Sequence, residues 1–462
     1  MTDNHPAAQL LKALWSAAQG DERELGRVRF VGEGELPSAF AVTDLAAASM
    51  GAAGLALCAL LGANTQANVT VDRRLASFWF AQSLRPQGWR IENAEDFVMG
   101  DYPAVDGWIR LHTNAPHHRS AALRALGLTA PTARATVAQA VATWRADALE
   151  AAVLAEGGCA ATMRSWQDWQ AHAQGQAVLS EPLLDWQPGL LMAQPTWALN
   201  PARPLQGLKV LDMTRVLAGP SATRLLAGLG AEVLRLDPPW WDEPTLAPEM
   251  TLGKRCARLD LREPDQRERW SALLGEADVF VHGYRSDALT ALGLGAEQRQ
   301  ALRPGLVDVS LDAYGFTGPW RHRRGFDSLV QMSMGIAHAG QQLAASDKPK
   351  PLPVQALDHA TGYLLATAAL RGLHTRLNTG RGSIVRASLA RTGALLMQTL
   401  NTSGKPKQPL APETPADLAS THEQTFWGPA CRVRWPVHVT GVDVRWETPA
   451  GPLGSSEAAW RR

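Results

Sequence analysis

A motif that occurs twice constrains the fold of this chain more than any other feature. Residues 351–390 read PLPVQALDHATGYLLATAALRGLHTRLNTGRGSIVRASLA, and residues 38–77 read SAFAVTDLAAASMGAAGLALCALLGANTQANVTVDRRLAS. Both segments give an extended run, an aspartate, an apolar helix, a polar turn and a β-branched strand. Leu75 follows Asp44 by 31 residues, as Leu389 follows Asp358. This shared order predicts an internal duplication of one structural unit.

The segment between the two copies indicates the fold class. Strand-like stretches at 208–214, 231–237, 277–283 and 305–311 are separated by helical stretches. Strands that alternate with helices predict a parallel sheet covered by helices on both faces. We therefore expect an α/β protein with a doubly wound, Rossmann-like parallel-sheet large domain. A smaller α+β domain should precede it, with a hairpin at Asp106-Gly107 and helices within 121–173.

Changes in composition along the chain suggest five parts. The expected parts are a truncated repeat of the large domain at 1–83, the small α+β domain at 84–185, a proline-rich linker at 186–205, the large domain at 206–400 and a C-terminal extension at 401–462. The 462 residues are enough to bury more than one domain core.

Charge and cysteine content exclude several classes of protein. The 45 basic and 44 acidic residues give a net charge of +1, which predicts neither a nucleic-acid partner nor an anionic membrane surface. The uncharged run at 45–63 is rich in Ala, Gly and Ser, so we expect a buried helix rather than a membrane span. The widely spaced cysteines form neither a C-x-x-C pair nor a metal-ligand cluster, and we expect them to be reduced thiols; they are Cys58, Cys159, Cys256 and Cys431. With no signal peptide at the N-terminus, these features predict a cytoplasmic protein.

Asp358 is the leading candidate for chemistry. It stands between an extended run and a helix, where an open α/β sheet exposes reactive groups at the carboxyl edge of its strands. The alternative is that Asp358 only caps the helix, since Asp is a preferred N-cap residue. A second candidate is the Leu-Ala-Gly-Pro loop at 217–220, which opens a helix after the first strand of the large domain and could hold an anion. It lacks the spacing of a dinucleotide fingerprint.

Several of these segments together resemble the large domain of the family III acyl-CoA transferases. That family includes formyl-CoA and carnitine CoA-transferases and the α-methylacyl-CoA racemases. The segments, in family order, are LKVLDMTRVLAGPSATRLLAGLGAEVLRLD, LGKRCARLDLREP, ADVFVHGYRSDALTALGLG, AYGFTGPWRHRRGFDSLVQ and the Asp358 stretch with TGRG. Residues 84–185 are similar to the small domain of the family, more loosely. The order of the domains differs, so the chain resembles two family units with fused or rearranged halves.

The resemblance implies a CoA-transferase that takes an acyl-CoA and a carboxylic acid as substrates and holds no cofactor permanently. Asp358 matches the nucleophile of the family, which passes through a mixed anhydride and an aspartyl-CoA thioester. A carboxylate suits this step because its acyl adduct is itself activated. The residues implied to bind CoA are Arg215, Val216, Leu217, Ala218, Lys254, Arg255 and Phe326.

The chain departs from the family pattern at two positions implied to contact CoA. Pro238 and Ala291 stand where formyl-CoA transferase has arginines. We expect Arg235 or Arg285 to compensate, because a guanidinium suits phosphate.

Phe326 separates the possible activities. Family racemases carry a histidine at the matching place, and phenylalanine cannot move a proton. This favours CoA transfer over the first alternative, an acyl-CoA racemase or isomerase. The second alternative, a catalytically inactive CoA-binding scaffold, stays open because of the truncated first copy and of Pro238 and Ala291.

The reversed domain order suggests how the chain assembles. Family transferases are interlocked homodimers whose sites lie between the large domain of one subunit and the small domain of the other. We expect either a homodimer or a pseudo-dimeric monomer in which residues 84–185 pack near 206–400 within one chain. Asp44, with too little sequence before it to build a CoA site, should be a vestigial helix cap.

Overall fold

The computed structural model describes residues 5–62, 66–92, 96–192, 197–285, 287–400 and 408–461.

The first copy of the repeat forms a strand–helix–strand–helix unit. Its elements, with the helix before it, are α1 (Pro6–Ala17), β1 (Val28–Val31), α2 (Val42–Leu61), β2 (Val69–Asp72) and α3 (Arg73–Ala81), and a 3-10 turn lies at Glu22–Arg27. β1 and β2 are parallel, so α2 is the crossover between them. α2 is long and apolar enough to cross a membrane, but its small side chains let it pack inside the protein, where it is buried.

A smaller sheet and a group of helices follow. The elements are β3 (Leu84–Pro86), β4 (Gly100–Ala104), β5 (Gly107–Leu111), α4 (Pro116–Ala125), α5 (Arg134–Val141), α6 (Ala146–Ala155), β6 (Ala160–Thr162), α7 (Trp166–Ala171) and α8 (Ala173–Ser180). β4, β5 and β6 form an antiparallel sheet. Its first turn joins Ala104 to Gly107, where the Asp106-Gly107 pair predicted a hairpin.

The large domain is a seven-stranded sheet with helices on its faces. Its elements are β7 (Asp185–Leu191), β8 (Lys209–Met213), α9 (Ala218–Gly228), β9 (Glu232–Asp237), α10 (Ala247–Met250), β10 (Lys254–Arg258), α11 (Pro264–Glu276), β11 (Val279–His282), α12 (Ala296–Leu302), β12 (Val307–Asp312), α13 (Asp327–Ser333), α14 (Ile336–Leu343), α15 (Ala356–Thr379), β13 (Arg381–Ser388) and α16 (Leu389–Met397), with a 3-10 turn at Thr290–Leu292. The strand order is β10-β9-β8-β11-β12-β13-β7, and every pair is parallel except β13 with β7. The predicted α/β class and doubly wound parallel sheet are confirmed.

Three short strands lie in the C-terminal part of the chain. They are β14 (Glu423–Thr425), β15 (Gly428–Arg432) and β16 (Val437–Val439), preceded by a 3-10 turn at Pro415–Asp417. β15 pairs with β3, and β16 pairs with β2. The last part of the chain therefore returns to the N-terminal unit.

In each copy of the repeat, the last strand pairs with an antiparallel strand that lies outside the repeated segment. β7 follows the small antiparallel domain and joins β13, while β16 follows the β14–β15 hairpin and joins β2. The two sheets thus share the order β12-β13-β7 and β1-β2-β16. Residues 186–191 of the predicted linker belong to β7, because the backbone groups of β13 need partners along that edge.

In each copy of the repeat, a helix follows the strand that comes after the aspartate. Counted from the aspartate, this helix begins two residues earlier in the first copy than in the second. α3 starts at Arg73 after the N-cap residue Asp72, and α16 starts at Leu389 after the N-cap residue Ser388. By position in its helix, Arg73 rather than Leu75 corresponds to Leu389. The predicted alignment of Leu75 with Leu389 is wrong by two residues, because the caps and not the leucines mark the helix starts.

One buried carboxylate contacts three segments that are far apart in the sequence. Glu249 accepts hydrogen bonds from the backbone of Ser83 at 3.2 Å and of Leu84 at 2.9 Å, and it forms ion pairs with Arg224 and Arg432. The guanidinium groups keep the carboxylate ionised, and its pKa is lowered to about 2 against the cost of burial. The N-terminal unit, the large domain and the C-terminal hairpin therefore meet at one ionic contact.

Candidate active site

Asp358 lies in the first turn of α15 and lines a cavity of about 360 Å³. The residue is 7% exposed. The helix is capped by the residue at 355 and not by Asp358, whose side chain accepts no hydrogen bond from the described part of the chain. Burial and the nearby carboxyl of Asp327 raise the pKa of Asp358 well above its usual range. An unpaired carboxyl facing a cavity has no structural task, which weakens the alternative of a helix cap.

Asp327 is a second buried carboxyl beside Asp358. One of its oxygens accepts the backbone N–H groups of Leu357 and Asp358 at 2.9 and 3.0 Å, and the other accepts the side-chain amide of Gln331. Burial raises the pKa of Asp327 to about 6, although these hydrogen bonds oppose the shift. Asp327 therefore fixes the first turn of α15. Within the segment AYGFTGPWRHRRGFDSLVQ, no local pattern predicts a role for this residue.

One wall of the cavity is the loop between β8 and α9. Of the four residues expected to bind CoA here, Arg215, Val216 and Ala218 line the cavity, whereas Leu217 is buried and does not line it. Val216 has a φ of +64°, a left-handed conformation that is costly for a β-branched residue. Its N–H donates to Glu243 Oε1 at 2.7 Å, so Glu243 holds the strained backbone in place.

Glu243 also holds an aromatic side chain of the same cavity wall in place. Its Oε1 accepts the indole N–H of Trp241 at 2.8 Å, and its Oε2 pairs with Arg235 at 2.8 Å. Trp241 in turn contacts the Arg215 guanidinium, which lies 4.5 Å from the indole centroid and 5.1 Å from the ring of Tyr284. Arg215 is thus held between two rings with its positive charge facing the cavity, a geometry suited to an anion.

Lys254 and Arg255 do not reach this cavity. Lys254 Nζ is buried and contacts Asp212 Oδ2 and the carbonyl of Pro220, each at 3.0 Å. Arg255 donates to Glu232 and to the carbonyl of Ala459 on another surface. Successive residues of a strand point to opposite faces, which separates the two side chains. The expected direct contact of both residues with CoA therefore has no support in this geometry, although Lys254 ties α9 to the sheet.

Of the two arginines expected to compensate for Pro238 and Ala291, only Arg285 lines the cavity. Arg235 is completely buried and paired with Asp237 and Glu243 at 2.8 Å, so it is not available to a phosphate. The strand alternation of β9 places it inward, and the expectation that Arg235 compensates is wrong.

The small antiparallel domain supplies the opposite wall within the same chain. His117 and His118 of α4 line the cavity together with Phe326. The Phe326 ring stacks on His112, with centroids 3.9 Å apart. Burial lowers the pKa of His112 to about 3 and that of His118 to about 4. Both imidazoles are therefore neutral at pH 7, and Phe326 is a packing surface between domains. Sequence reasoning missed these histidines because no motif marks them.

Asp44, the counterpart of Asp358, is in a different environment. Its Oδ1 accepts hydrogen bonds from Arg73 at 3.0 and 2.6 Å, and both side chains are buried. Ala41 is the N-cap residue of α2, and Asp44 makes no cap contact. The expectation that Asp44 is a helix cap is wrong, because a guanidinium and not the helix N-terminus satisfies its charge.

In the ranges that the structure describes, no group of three or more His, Cys, Asp or Glu side chains is placed to hold a metal ion.

Comparison with known proteins gives one family. The sequence model for CoA-transferase family III matches residues 205–426. The succinyl-CoA:glutarate CoA-transferase of Homo sapiens is 33% identical over 215 residues, which are 44% of this chain and 48% of that protein. An acyl-CoA transferase of Gibberella moniliformis is 27% identical over 431 residues, 83% of this chain and 75% of that protein. A crystal structure of a CAIB/BAIF family protein from Brucella suis is 28% identical, covers 49% of this chain and 65% of its own, and has a TM-score of 0.38.

The match to several of these relatives covers only part of their length. The chain spans about half the length of the human relative, at 48%, and 59% of a probable fatty acyl-CoA transferase from Mycobacterium tuberculosis.

Proposed function

We propose, from the match of residues 205–426 to the sequence model of CoA-transferase family III, that the chain moves CoA from an acyl-CoA thioester to a carboxylic acid with Asp358 as the nucleophile. The observation that carries the proposal is the unpaired, buried carboxyl of Asp358 at the wall of a cavity lined by two domains. Curated relatives named for CoA transfer to glutarate and to D-citramalate support the reaction class.

The proposed reaction has four steps. The Asp358 carboxylate attacks the thioester carbonyl, and the CoA thiolate leaves to give a mixed anhydride. The thiolate then attacks the aspartyl carbonyl, which releases the donor carboxylate and leaves an aspartyl-CoA thioester. The acceptor carboxylate attacks this thioester and again expels the thiolate. Attack of the thiolate on the acceptor's carbonyl forms the new acyl-CoA and returns Asp358.

The raised pKa of Asp358 fits this role. Burial and the Asp327 carboxyl make the ionised form more basic than an ordinary carboxylate. A more basic carboxylate is a stronger nucleophile, and the burial of Asp358 limits the access of water to the anhydride.

Arg215 is the proposed partner of the CoA phosphates. Its guanidinium lies between Trp241 and Tyr284 on the cavity wall, so binding would need little side-chain ordering. Val216 and Ala218, on the same loop, would lie along the pantetheine arm. Phe326 would limit the acyl end, since it packs against His112 on that wall.

The geometry gives less support to the alternatives. A racemase needs a second base near the substrate's α-carbon, and Phe326 cannot accept a proton. An inactive scaffold does not explain why the Asp358 carboxyl is kept buried without a cation. The proposal also includes a cytoplasmic location, which the four unpaired cysteines support.

The test is isotope exchange with the wild type and with Asp358→Ala and Asp358→Asn. CoA transfer predicts acceptor-dependent exchange of labelled acid into acyl-CoA, and its loss by a factor of about 10³ or more in both variants. A racemase would exchange the α-proton with solvent, and a scaffold would do neither. Borohydride added with acyl-CoA should reduce the side chain of Asp358. Labelling of Asp44, or full exchange in Asp358→Ala, would contradict the proposal.

A further inference from the structure

We infer that Trp240 is a stacking platform for the adenine ring of CoA at the outer rim of the cavity, an inference that rests on the proposed function. Trp240 lines the same cavity as Asp358, and 57% of it is exposed, against 7% for Asp358. The cavity thus runs from a buried carboxyl to an exposed indole. CoA has the matching order, with a reactive thioester at one end and a purine at the other.

The indole of Trp240 is held in place although it is exposed. The guanidinium carbon of Arg262 lies 4.0 Å from its ring centroid. Arg262 is itself fixed by Asp260, which accepts hydrogen bonds from Nε at 2.9 Å and from Nη2 at 2.7 Å. One face of the indole is therefore covered by an anchored cation. An aromatic ring that is fixed before binding loses little entropy when a second ring stacks on it.

The cavity wall near Trp240 carries positive charges that can bind an anionic ligand. Trp241 contacts Arg215, and Arg285 lines the same cavity with an exposed side chain. A nucleotide placed with its phosphates on these cations would have its base at the rim. A base presents a flat π face, and stacking on an indole removes apolar surface of both rings from water.

The experiment measures equilibrium binding of three ligands to the full chain by calorimetry. The ligands are CoA, adenosine 3′,5′-bisphosphate and 4′-phosphopantetheine. Trp240→Ala should weaken the first two about tenfold or more and leave 4′-phosphopantetheine unchanged, because only the first two carry adenine. Trp240→Phe should stay within about threefold of the wild type, since it keeps an aromatic face.

Phe426→Ala is the matched control, because Phe426 is an aromatic residue that is 71% exposed and lies outside the cavity lining. It should bind all three ligands as the wild type does. Equal weakening of all three by Trp240→Ala, or no weakening of CoA, would overturn the inference. These binding outcomes are separate from catalysis. If the wild type binds CoA but shows no isotope exchange, the proposed function fails and the stacking role of Trp240 does not. If Trp240→Ala shows normal isotope exchange and unaltered CoA binding, only the stacking role fails.

Discussion

The carboxylate of Asp327 accepts the backbone N–H of Asp358 at 3.0 Å. Two acidic groups from different helices, α13 and α15, thus meet at one buried turn, one orienting the helix and the other facing the cavity. Their proximity raises the pKa of Asp358 and so favours its protonated form, whereas the proposed nucleophile is the ionised form.

Activity should therefore rise with pH on the acid side. Asp358 must lose a proton, and the nearby carboxyl of Asp327 raises its pKa. Asp327→Asn removes that charge while an amide oxygen can still accept the backbone N–H groups. The Asp358 pKa should fall, and the acid limb of the kcat/KM profile should move to lower pH. Asp312→Asn, another buried carboxyl on the cavity wall, should leave the limb in place. An unmoved limb in Asp327→Asn would contradict the coupling.

Asp358→Asn should be more stable than the wild type at pH 8. The folded-state pKa of Asp358 is raised above its unfolded value, so the folded state binds more protons and loses stability as pH rises toward that pKa. The amide cannot ionise and escapes this loss. Thermal unfolding should show a midpoint higher by about 2 °C or more at pH 8, with the difference shrinking toward pH 4. A variant less stable than the wild type at both pH values would exclude this account.

Removing Asp44 should be costly, beyond the loss of about 1 kcal/mol for a helix cap. Asp44→Ala leaves the buried guanidinium of Arg73 with weaker contacts, to Glu35 at 3.9 Å and to the carbonyl of Gly32 at 3.3 Å, and should cost about 3 kcal/mol. The double variant Asp44→Ala/Arg73→Leu should recover most of this stability and keep CoA exchange. Chemical denaturation measures both, and a double variant no better than Asp44→Ala would show that the pair is not the cause.

Glu243→Gln should raise the KM for acyl-CoA more than it lowers kcat. The amide cannot accept from both Val216 and Arg235, so the strained loop at Val216 loses its support. Val216→Gly removes the cost of the positive φ, because glycine adopts it freely. Adding Val216→Gly to Glu243→Gln should therefore restore part of the KM. Steady-state kinetics of the three variants test this, and an effect on kcat alone would contradict a positioning role.

A single chain should hold a complete site. The small domain reaches the cavity of its own chain through His117, and Arg323 pairs with Glu150 across the same contact. Crosslinking a mixture of isotopically labelled and unlabelled protein should give links between 84–185 and 206–400 within one isotopic form. Links that are mainly mixed would show that the site is shared between chains. Light scattering on the same sample measures the oligomeric state.

The sequence indicated the large sheet well because its strands are apolar and separated by amphipathic or buried helices. It also singled out Asp358 as a candidate, since a carboxylate at a strand–helix junction is a local pattern, and the structure places that residue on a cavity wall. The pairings of β7 and β16 were not readable, because they join residues far apart in the chain. For the same reason Lys254 and Arg235 were misjudged: their positive charges are visible in the sequence, while their partners Asp212 and Glu243 come from other elements.

The ion pair between Asp44 and Arg73 has a consequence for how such a protein can evolve. Arg73 opens α3 as Leu389 opens α16, and Leu389 lines the cavity of Asp358. In an assembly of identical subunits, one mutation to arginine would place a guanidinium beside the aspartate of every copy at once. Two unlike copies of the repeat in one chain remove that constraint. Selection can leave the aspartate near Leu389 without a cation and use the equivalent aspartate near Arg73 as an internal ion pair that holds the fold.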